Sequence, residues 1–536
     1  MASTDAVFFS LHRAAYQTTL REEAVSHRRD IFTFLRSCEI FKKMGTRDLS
    51  RVADVVQSVS FPEGTRIVRE GDSGAAMFFV EEGQVMVKQL AEKKDGETDS
   101  DEENIIAMLK TGQYFGERAL LTDEPRSASV EAVTDTICLR IDRESFLKLL
   151  NPLHEDLISA MPMPSPRKRS DVGMQTAPAR YAPKQEDLQV IKPLGAGGFA
   201  RVLMVRDRCT RRVYALKVIS KNKLLKQNAK VRTLSVLYEK QALDEFNHPF
   251  VLSSAACFQD GTNLYLLMNL ALGGELFRVM EEFDKLSELM ASFYVASITL
   301  ALQHIHMLDY VYRDLKPENV MLDQNGFVKV ADFGFAKKVV DRTFTQCGTP
   351  DYVAPEMLMG QGVNQACDWW ALGVLFYEMI AAIPPFTDPD GDDMAIFANI
   401  LKGGLEWPDR DECVFSDDSR QLISGLLTVS VKNRLGYLKG GAEDLINHAW
   451  FREKVDWDAL VNCSMRPPWV PKLKSATDTT YFEDTMDECE DAHIEAQKEL
   501  PLSPEVASEW SFLWQAFGTS EASTSHTPSP RSARSM

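Results

Sequence analysis

Asp314, Lys316 and Asn319 lie within a short run, Tyr312-Arg313-Asp314-Leu315-Lys316-Pro317-Glu318-Asn319. Thirteen residues after Asn319 comes Asp332, followed by Phe333-Gly334. A carboxylate, an ammonium, an amide and a second carboxylate in this order suit phosphoryl transfer, which asks for positioning and charge neutralisation more than covalent chemistry. Asp314 would orient a substrate hydroxyl and accept its proton. Lys316 would neutralise the γ-phosphate of ATP. Asn319 and Asp332 offer hard oxygen ligands of the kind Mg²⁺ prefers. Upstream, Leu194-Gly195-Ala196-Gly197-Gly198-Phe199-Ala200-Arg201-Val202 joins two β-like runs. Its glycines let backbone N–H groups approach phosphates with no Cβ in the way. Lys217 sits in an apolar strand-like run, where a buried cation needs an anion. ATP phosphates supply one, and Glu239, 22 residues on, supplies another.

A second constellation lies nearer the N-terminus. Phe115-Gly116-Glu117-Arg118-Ala119-Leu120-Leu121 precedes Pro125-Arg126-Ser127-Ala128-Ser129. A cyclic phosphate needs a cation and backbone donors at a helix start. A ribose 2′-OH needs an acceptor such as a carboxylate. Arg126 and Glu117 supply both.

The elements that would hold these residues follow from composition and periodicity. The chain has 536 residues, 44% hydrophobic and 26% charged, ordinary values for two or three globular domains. A net charge of -18 argues against nucleic acid or an acidic membrane as partner. The nine cysteines form no C-x-x-C pair, so reduced thiols in a cytoplasmic protein are expected. MASTDAVFF lacks a signal-peptide pattern, Ala2 excludes N-myristoylation, and no run reaches the ~18 apolar residues of a membrane span. Residues 8–58 carry apolar positions at helical spacing. From Phe61 to about Ile141 the chain reads as short strands split by glycines, interrupted by the acidic stretch EKKDGETDSDEEN. MPMPSPRKRSDVGMQTAPARYAPK reads as a linker, and TSEASTSHTPSPRSARSM as disordered. The expected division is a regulatory segment 1–31, a nucleotide-binding β-roll 32–158, a linker 159–187, a catalytic domain 188–451, a tail 452–518 and a disordered end 519–536. Only one copy of the β-rich module is found.

Residues 188–482 resemble the protein kinases, and within them the AGC group that contains the cyclic-nucleotide-dependent enzymes. Lys316-Pro317-Glu318-Asn319 is similar to the serine/threonine form of the catalytic loop, while Ala200 replaces the third glycine of the usual loop. The resemblance implies a two-lobed α+β fold with ATP and Mg²⁺. It makes Asp314, Lys316, Lys217, Asn319 and Asp332 catalytic, and Met268 and Glu275 part of the ATP site. It implies a structural ion pair between Arg434 and Glu356, and an activating phosphate on Thr345 that would recruit Arg313 and Lys337. Pro467-Pro468-Trp469 and Tyr481-Phe482-Glu483 resemble the family's C-terminal tail. Trp510, Phe512, Trp514 and Phe517 read either as its terminal aromatic anchor or as a packed amphipathic helix. Glu275, Asp390, Asp392 and Asp393 fit protein substrates with Arg or Lys before the target Ser or Thr.

Residues 32–155 resemble the cyclic-nucleotide-binding domains, with Gly116, Glu117, Arg118, Ala119, Arg126 and Ser127 as the contact set. Ser127, whose hydroxyl could reach a guanine amino group, favours cGMP over cAMP as allosteric activator. The familiar cGMP-dependent kinases carry more than one such domain, a departure here. The rival readings are a cAMP-activated kinase, a kinase answering to another small ligand, and a non-catalytic nucleotide-sensing scaffold. Two basic segments, His27-Arg28-Arg29-Asp30-Ile31-Phe32 and Arg167-Lys168-Arg169-Ser170, are candidates to occupy the substrate cleft without nucleotide. Residues 8–35 carry no sustained heptad, and the oligomeric state is left open.

Overall fold

Strand Ala76–Glu82 shows why the N-terminal module folds as it does. Successive side chains of a strand point to opposite faces. Met77 and Phe79 enter one apolar cluster with Leu139 and Ile141. Phe78 and Val80 enter another with Val85, Phe115, Val130 and Cys138. Both faces are buried, so the strand is apolar without alternation. The computed structural model describes residues 26–42, 44–72, 74, 76–90, 103–116, 125–143, 145, 183–196, 200–226, 229–339, 342–343, 348–409, 414–437, 440–482, 510 and 514.

Two four-stranded sheets make the roll. One runs in the order Gln57–Phe61, Thr136–Asp142, Ala76–Glu82, Tyr114–Phe115. The other runs Arg66–Val68, Ser129–Ala132, Gln84–Leu90, Glu103–Lys110. Helices 26–37 and Thr46–Val55 add Ile31, Leu35, Leu49, Val52 and Val55 to the cluster of Met77 and Phe79. This is the expected β-roll with flanking helices. One boundary differs from expectation. Helix 26–37 runs through residue 31, because Ile31 is 6% exposed inside that cluster.

The chain divides into two compact units. The first takes Met1–Pro178, Val279–Pro317 and Lys338–Met465. Beside the roll it contains a helical lobe. Its helix Glu288–Met307 is capped by Ser287, which accepts from the Met290 N–H at 3.3 Å. Fourteen of its side chains are buried, too many for one face, so it is a core helix. Ser297 and Thr299 satisfy their hydroxyls on the carbonyls of Phe293 and Val295, at 2.7 and 2.8 Å. Arg434, fully buried, makes a bidentate pair with Glu356 at 2.8 and 2.9 Å. That is the structural ion pair the resemblance implied.

The second unit takes Ala179–Arg278, Glu318–Lys337 and Arg466–Met536. It holds a five-stranded antiparallel sheet in the order Ser254–Gln259, Asn263–Asn269, Val213–Ser220, Ala200–Asp207, Leu188–Ala196, with helix Ala229–Glu245. A short hairpin, Val320–Leu322 with Val328–Val330, belongs to the same unit. A sheet-rich lobe and a helical lobe are the two parts of the expected bilobal α+β fold.

Candidate functional site

In the sheet-rich unit, strand register gathers three of the sequence-selected positions. Val202 pairs with both Gly195 and Lys217, and Lys217 pairs in turn with Leu266. Lys217 Nζ donates to Glu239 Oε1 at 2.6 Å, which brings strand Val213–Ser220 and helix Ala229–Glu245 together. Burial works against the Lys217 charge, but Glu239 and Asp332 outweigh it and hold its pKa above the usual lysine value. The ammonium therefore stays charged at neutral pH. Leu194 and Met268 are buried, and Glu275 is half-buried opposite Met321. A Cβ on Gly195 would meet nothing within 4 Å, so open space lies before this backbone. Ala200 and Arg201 open the next strand. Gly197, Gly198 and Phe199 lie outside the described residues, as does the side chain of Ala196.

The hairpin of this unit places the metal candidates. Val320 pairs with Val330, and the Ala331 N–H donates to the Asn319 carbonyl at 2.9 Å. Asn319 and Asp332 thus flank the same end of the hairpin. Asp332 adopts φ 51, the left-handed region, and its Oδ1 accepts from the Gly334 N–H at 3.1 Å. The Gly334 carbonyl accepts from the Ser235 hydroxyl. Such strain in a non-glycine residue persists only where surrounding bonds impose it. Among the described residues no cluster of three or more His, Cys, Asp or Glu could hold a metal. Asn319 and Asp332 offer one amide and one carboxylate oxygen, which fits Mg²⁺ shared with substrate phosphates rather than a cage built from protein alone.

The helical unit supports the other half of the catalytic run. Asp314 is 8% exposed. The preceding Arg313 has φ 69, and one buried carboxylate fixes that turn. Asp368 accepts from the N–H groups of Tyr312 and Arg313 at 2.9 and 2.7 Å. His306 Nε2 lies 2.7 Å from the same Asp368 Oδ2. Lys316 donates to Thr349 Oγ1 at 3.2 Å. Asp368 thus orients the catalytic turn, a role that sequence reading missed. Fifty-odd residues of separation leave no local signal for it. Asp392 turns out to cap helix Asp393–Lys402, accepting from the Met394 N–H at 2.9 Å, while Asp390 and Asp393 are exposed. Thr345 lies outside the described residues.

In the roll, a cavity of about 320 Å³ is lined by Val68, Val87, Gln89, Tyr114, Gly116 and Arg126, among others. That volume is at the lower end of small-ligand sites. Arg126 is 7% exposed, and its guanidinium donates to the carbonyls of Gly116, at 2.8 Å, and Ala76. Its own N–H donates to the Asp72 carbonyl at 2.8 Å, and its carbonyl accepts from Gly71. The upstream glycine turn therefore holds the arginine in place. Ser127 is exposed, and its carbonyl accepts from Gln89 Nε2 at 3.3 Å. Gln89, an amide at the cavity wall, was not among the residues the sequence singled out. Glu117, Arg118 and Ala119 lie outside the described residues.

Residues 188–451 match the model of the protein kinase domain, and residues 58–152 that of the cyclic nucleotide-binding domain. Residues 188–451 therefore carry a protein kinase domain. It is 34% identical over 495 residues to "cGMP-dependent protein kinase, isozyme 2 forms cD5/T2" of Drosophila melanogaster, covering 90% of this chain and 50% of that protein. It is 31% identical over 509 residues to "cGMP-dependent protein kinase 2" of Homo sapiens, covering 90% of this chain and 65% of the relative. With "cGMP-dependent protein kinase, isozyme 1" of Drosophila melanogaster it shares 32% over 491 residues, 88% of this chain and 62% of the relative. The chain thus spans between half and two thirds of the length of these relatives.

The kinase domain implies ATP and Mg²⁺, and the nucleotide domain implies a cyclic nucleotide. Residues 466–482 pack within the sheet-rich unit. Thr479 Oγ1 accepts from Lys192 Nζ at 2.7 Å, and the Trp469 and Tyr481 rings meet at 5.3 Å. Trp510 and Trp514 are helical and buried, with Lys240 Nζ 5.3 Å from the Trp514 ring. Phe512 and Phe517 lie outside the described residues. The basic segment 27–32 is not extended as a cleft-bound peptide would be. It is helical, Ile31 is in the core, and Arg28 is bonded to Asp54 and Ser50. The second basic candidate, 167–170, lies outside the described residues. Among the described residues, no helix is long and apolar enough to cross a membrane.

Proposed function

We propose that this protein is a serine/threonine kinase that transfers the ATP γ-phosphate to Ser or Thr in basic sequence contexts, and that cyclic nucleotide bound in its N-terminal roll controls it in cis. The observation that carries the reading is the Lys217–Glu239 pair in the field of Asp332, in a chain that also encloses a cavity around a buried arginine. Mg²⁺, held by Asn319 and Asp332, neutralises phosphate charge when bound. Lys217, kept charged by Glu239, grips the phosphates. Asp314 holds the substrate hydroxyl on the turn that Asp368 fixes, and accepts its proton. Lys316 offsets charge on the transferred group. Glu275 and the acidic Asp390 and Asp393 favour arginine or lysine before the acceptor. Phosphorylation of Thr345 would order the activation segment.

In the roll, Arg126 would leave the carbonyls of Gly116 and Ala76 for the cyclic phosphate, and Glu117 would accept from the ribose 2′-OH. Ser127 and the relatives' printed names both favour cGMP over cAMP. A cytoplasmic location agrees with the free thiols of Cys38, Cys138 and Cys367. The functional division remains 1–31, 32–158, 159–187, 188–451, 452–518 and 519–536, with the first helix shared across its first boundary. The test is phosphate transfer from Mg-ATP to a basic Ser/Thr peptide by wild type and Asp314→Asn. Removing the proton acceptor should lower kcat by about 10²–10⁴-fold with KM for ATP little changed. Equal rates would sink the assignment of the catalytic run.

A further inference from the structure

Asp54 sits in the last turn of helix Thr46–Val55, where the helix dipole disfavours a carboxylate. Its side chain is nonetheless only 2% exposed. A charge so placed needs cations, and it has them from two parts of the chain. Within the roll's own helices, Arg28 donates to Oδ1 from Nε at 3.0 Å and from a terminal nitrogen at 2.7 Å. From the helical kinase lobe, Arg342 reaches the same oxygen at 2.5 Å across 288 residues of sequence. Tyr437 donates its hydroxyl to Oδ2, and Asn364 donates to Oδ2 at 3.4 Å. Neither the catalytic run nor the nucleotide cavity uses this cluster.

The kinase side of the cluster is fixed to the activation segment. Arg342 also donates to the carbonyls of Gln361 and Gly362 at 2.8 and 3.0 Å. The next residue, Thr343, exchanges backbone hydrogen bonds with Val363. Asn364 donates to the Tyr437 hydroxyl at 2.8 Å and accepts from the Ala366 N–H at 3.0 Å. The roll side is fixed to the nucleotide cavity. Val52 and Val55 of the Asp54 helix pack with Met77 and Phe79 of strand Ala76–Glu82. The first carbonyl of that strand, Ala76, accepts from Arg126. A ligand that draws Arg126 to its phosphate takes a bond from the strand on which the Asp54 helix rests.

We propose that Asp54 is a charge tether by which the nucleotide domain grips the base of the activation segment, restraining activity until nucleotide binding loosens it. This rests on the reading of a nucleotide-controlled kinase. Arg28 alone could neutralise Asp54 inside the roll. The second arginine, with an amide and a phenol from separate segments of the kinase lobe, makes the carboxylate an interdomain contact. Binding linkage then requires reciprocity: whatever weakens the tether also favours nucleotide binding.

The experiment compares full-length wild type, Asp54→Asn, Arg342→Gln, the double variant and Arg28→Gln in peptide phosphorylation, without nucleotide and across a cGMP titration. Asp54→Asn and Arg342→Gln should each raise nucleotide-free activity about 10-fold and lower the half-activating cGMP concentration in proportion. The double variant should add little to either, because both remove one contact. Arg28→Gln, which leaves the tether in place, should keep wild-type nucleotide-free activity. Arg342→Gln lies outside the roll, so its effect cannot come from a misfolded nucleotide domain. Unchanged or lowered nucleotide-free activity in both tether variants overturns the proposal, as does the same rise in Arg28→Gln. If wild type ignores cGMP and cAMP alike, nucleotide control fails, and the nucleotide-free rates still decide whether Asp54 restrains the kinase.

Discussion

Lys217 must stay charged to be of use, and its surroundings ensure it. Its raised pKa means that the stability contributed by the lysine charge is present at neutral pH and lost as pH rises through a value above the usual 10.5. Activity across the neutral range should therefore show no titration of this residue. Lys217→Met should lower kcat/KM for peptide phosphorylation by at least about 100-fold, since it removes a phosphate contact and leaves Glu239 and Asp332 facing each other. Asp54 behaves oppositely. Burial raises its pKa, but Arg342 and Arg28 outweigh this and leave it below the usual 3.8. Its stabilising contribution is present above that pH and lost as pH falls through the lower folded value. Acid unfolding followed by fluorescence should show a component absent from Asp54→Asn.

Elements decide what a residue can do. Gly116 has φ 89, and an added Cβ would collide with the Arg126 guanidinium. Gly116→Ala should therefore cut cyclic-nucleotide affinity sharply while the kinase domain stays folded, which fluorescent-nucleotide binding and thermal unfolding would separate. In the helical lobe, Arg434 also stacks 5.0 Å over the Trp370 ring while paired to Glu356. Glu356→Gln should cost about 3–5 kcal/mol in denaturant unfolding, because an uncompensated guanidinium would remain buried. Much at this scale was legible beforehand. Lys217 with Glu239 and Asn319 with Asp332 lie in short motifs whose order betrays their chemistry, and the alternating faces of Ala76–Glu82 follow from period two. The role of Asp368 was not, because its bonds to Tyr312 and Arg313 are backbone contacts that no side-chain pattern announces.

At the scale of the molecule, sequence reading found both modules and missed how they meet. Arg28 looked like part of a basic, cleft-seeking segment. In the fold it is committed to Asp54, and Ile31 beside it is core. The other arginine on Asp54, Arg342, is 288 residues away, and neither residue belongs to a motif. Long-range ion pairs carry no periodic signal, so only the fold reveals them. The central claim is that cyclic nucleotide held by Arg126 governs the kinase on the same chain. Its most direct test is peptide phosphorylation titrated with cGMP and with cAMP, for wild type and Arg126→Ala. The account predicts activation at lower cGMP than cAMP, with the response moved by at least about 100-fold in the variant. Activity indifferent to both nucleotides, or an Arg126→Ala curve that overlays wild type, would contradict it.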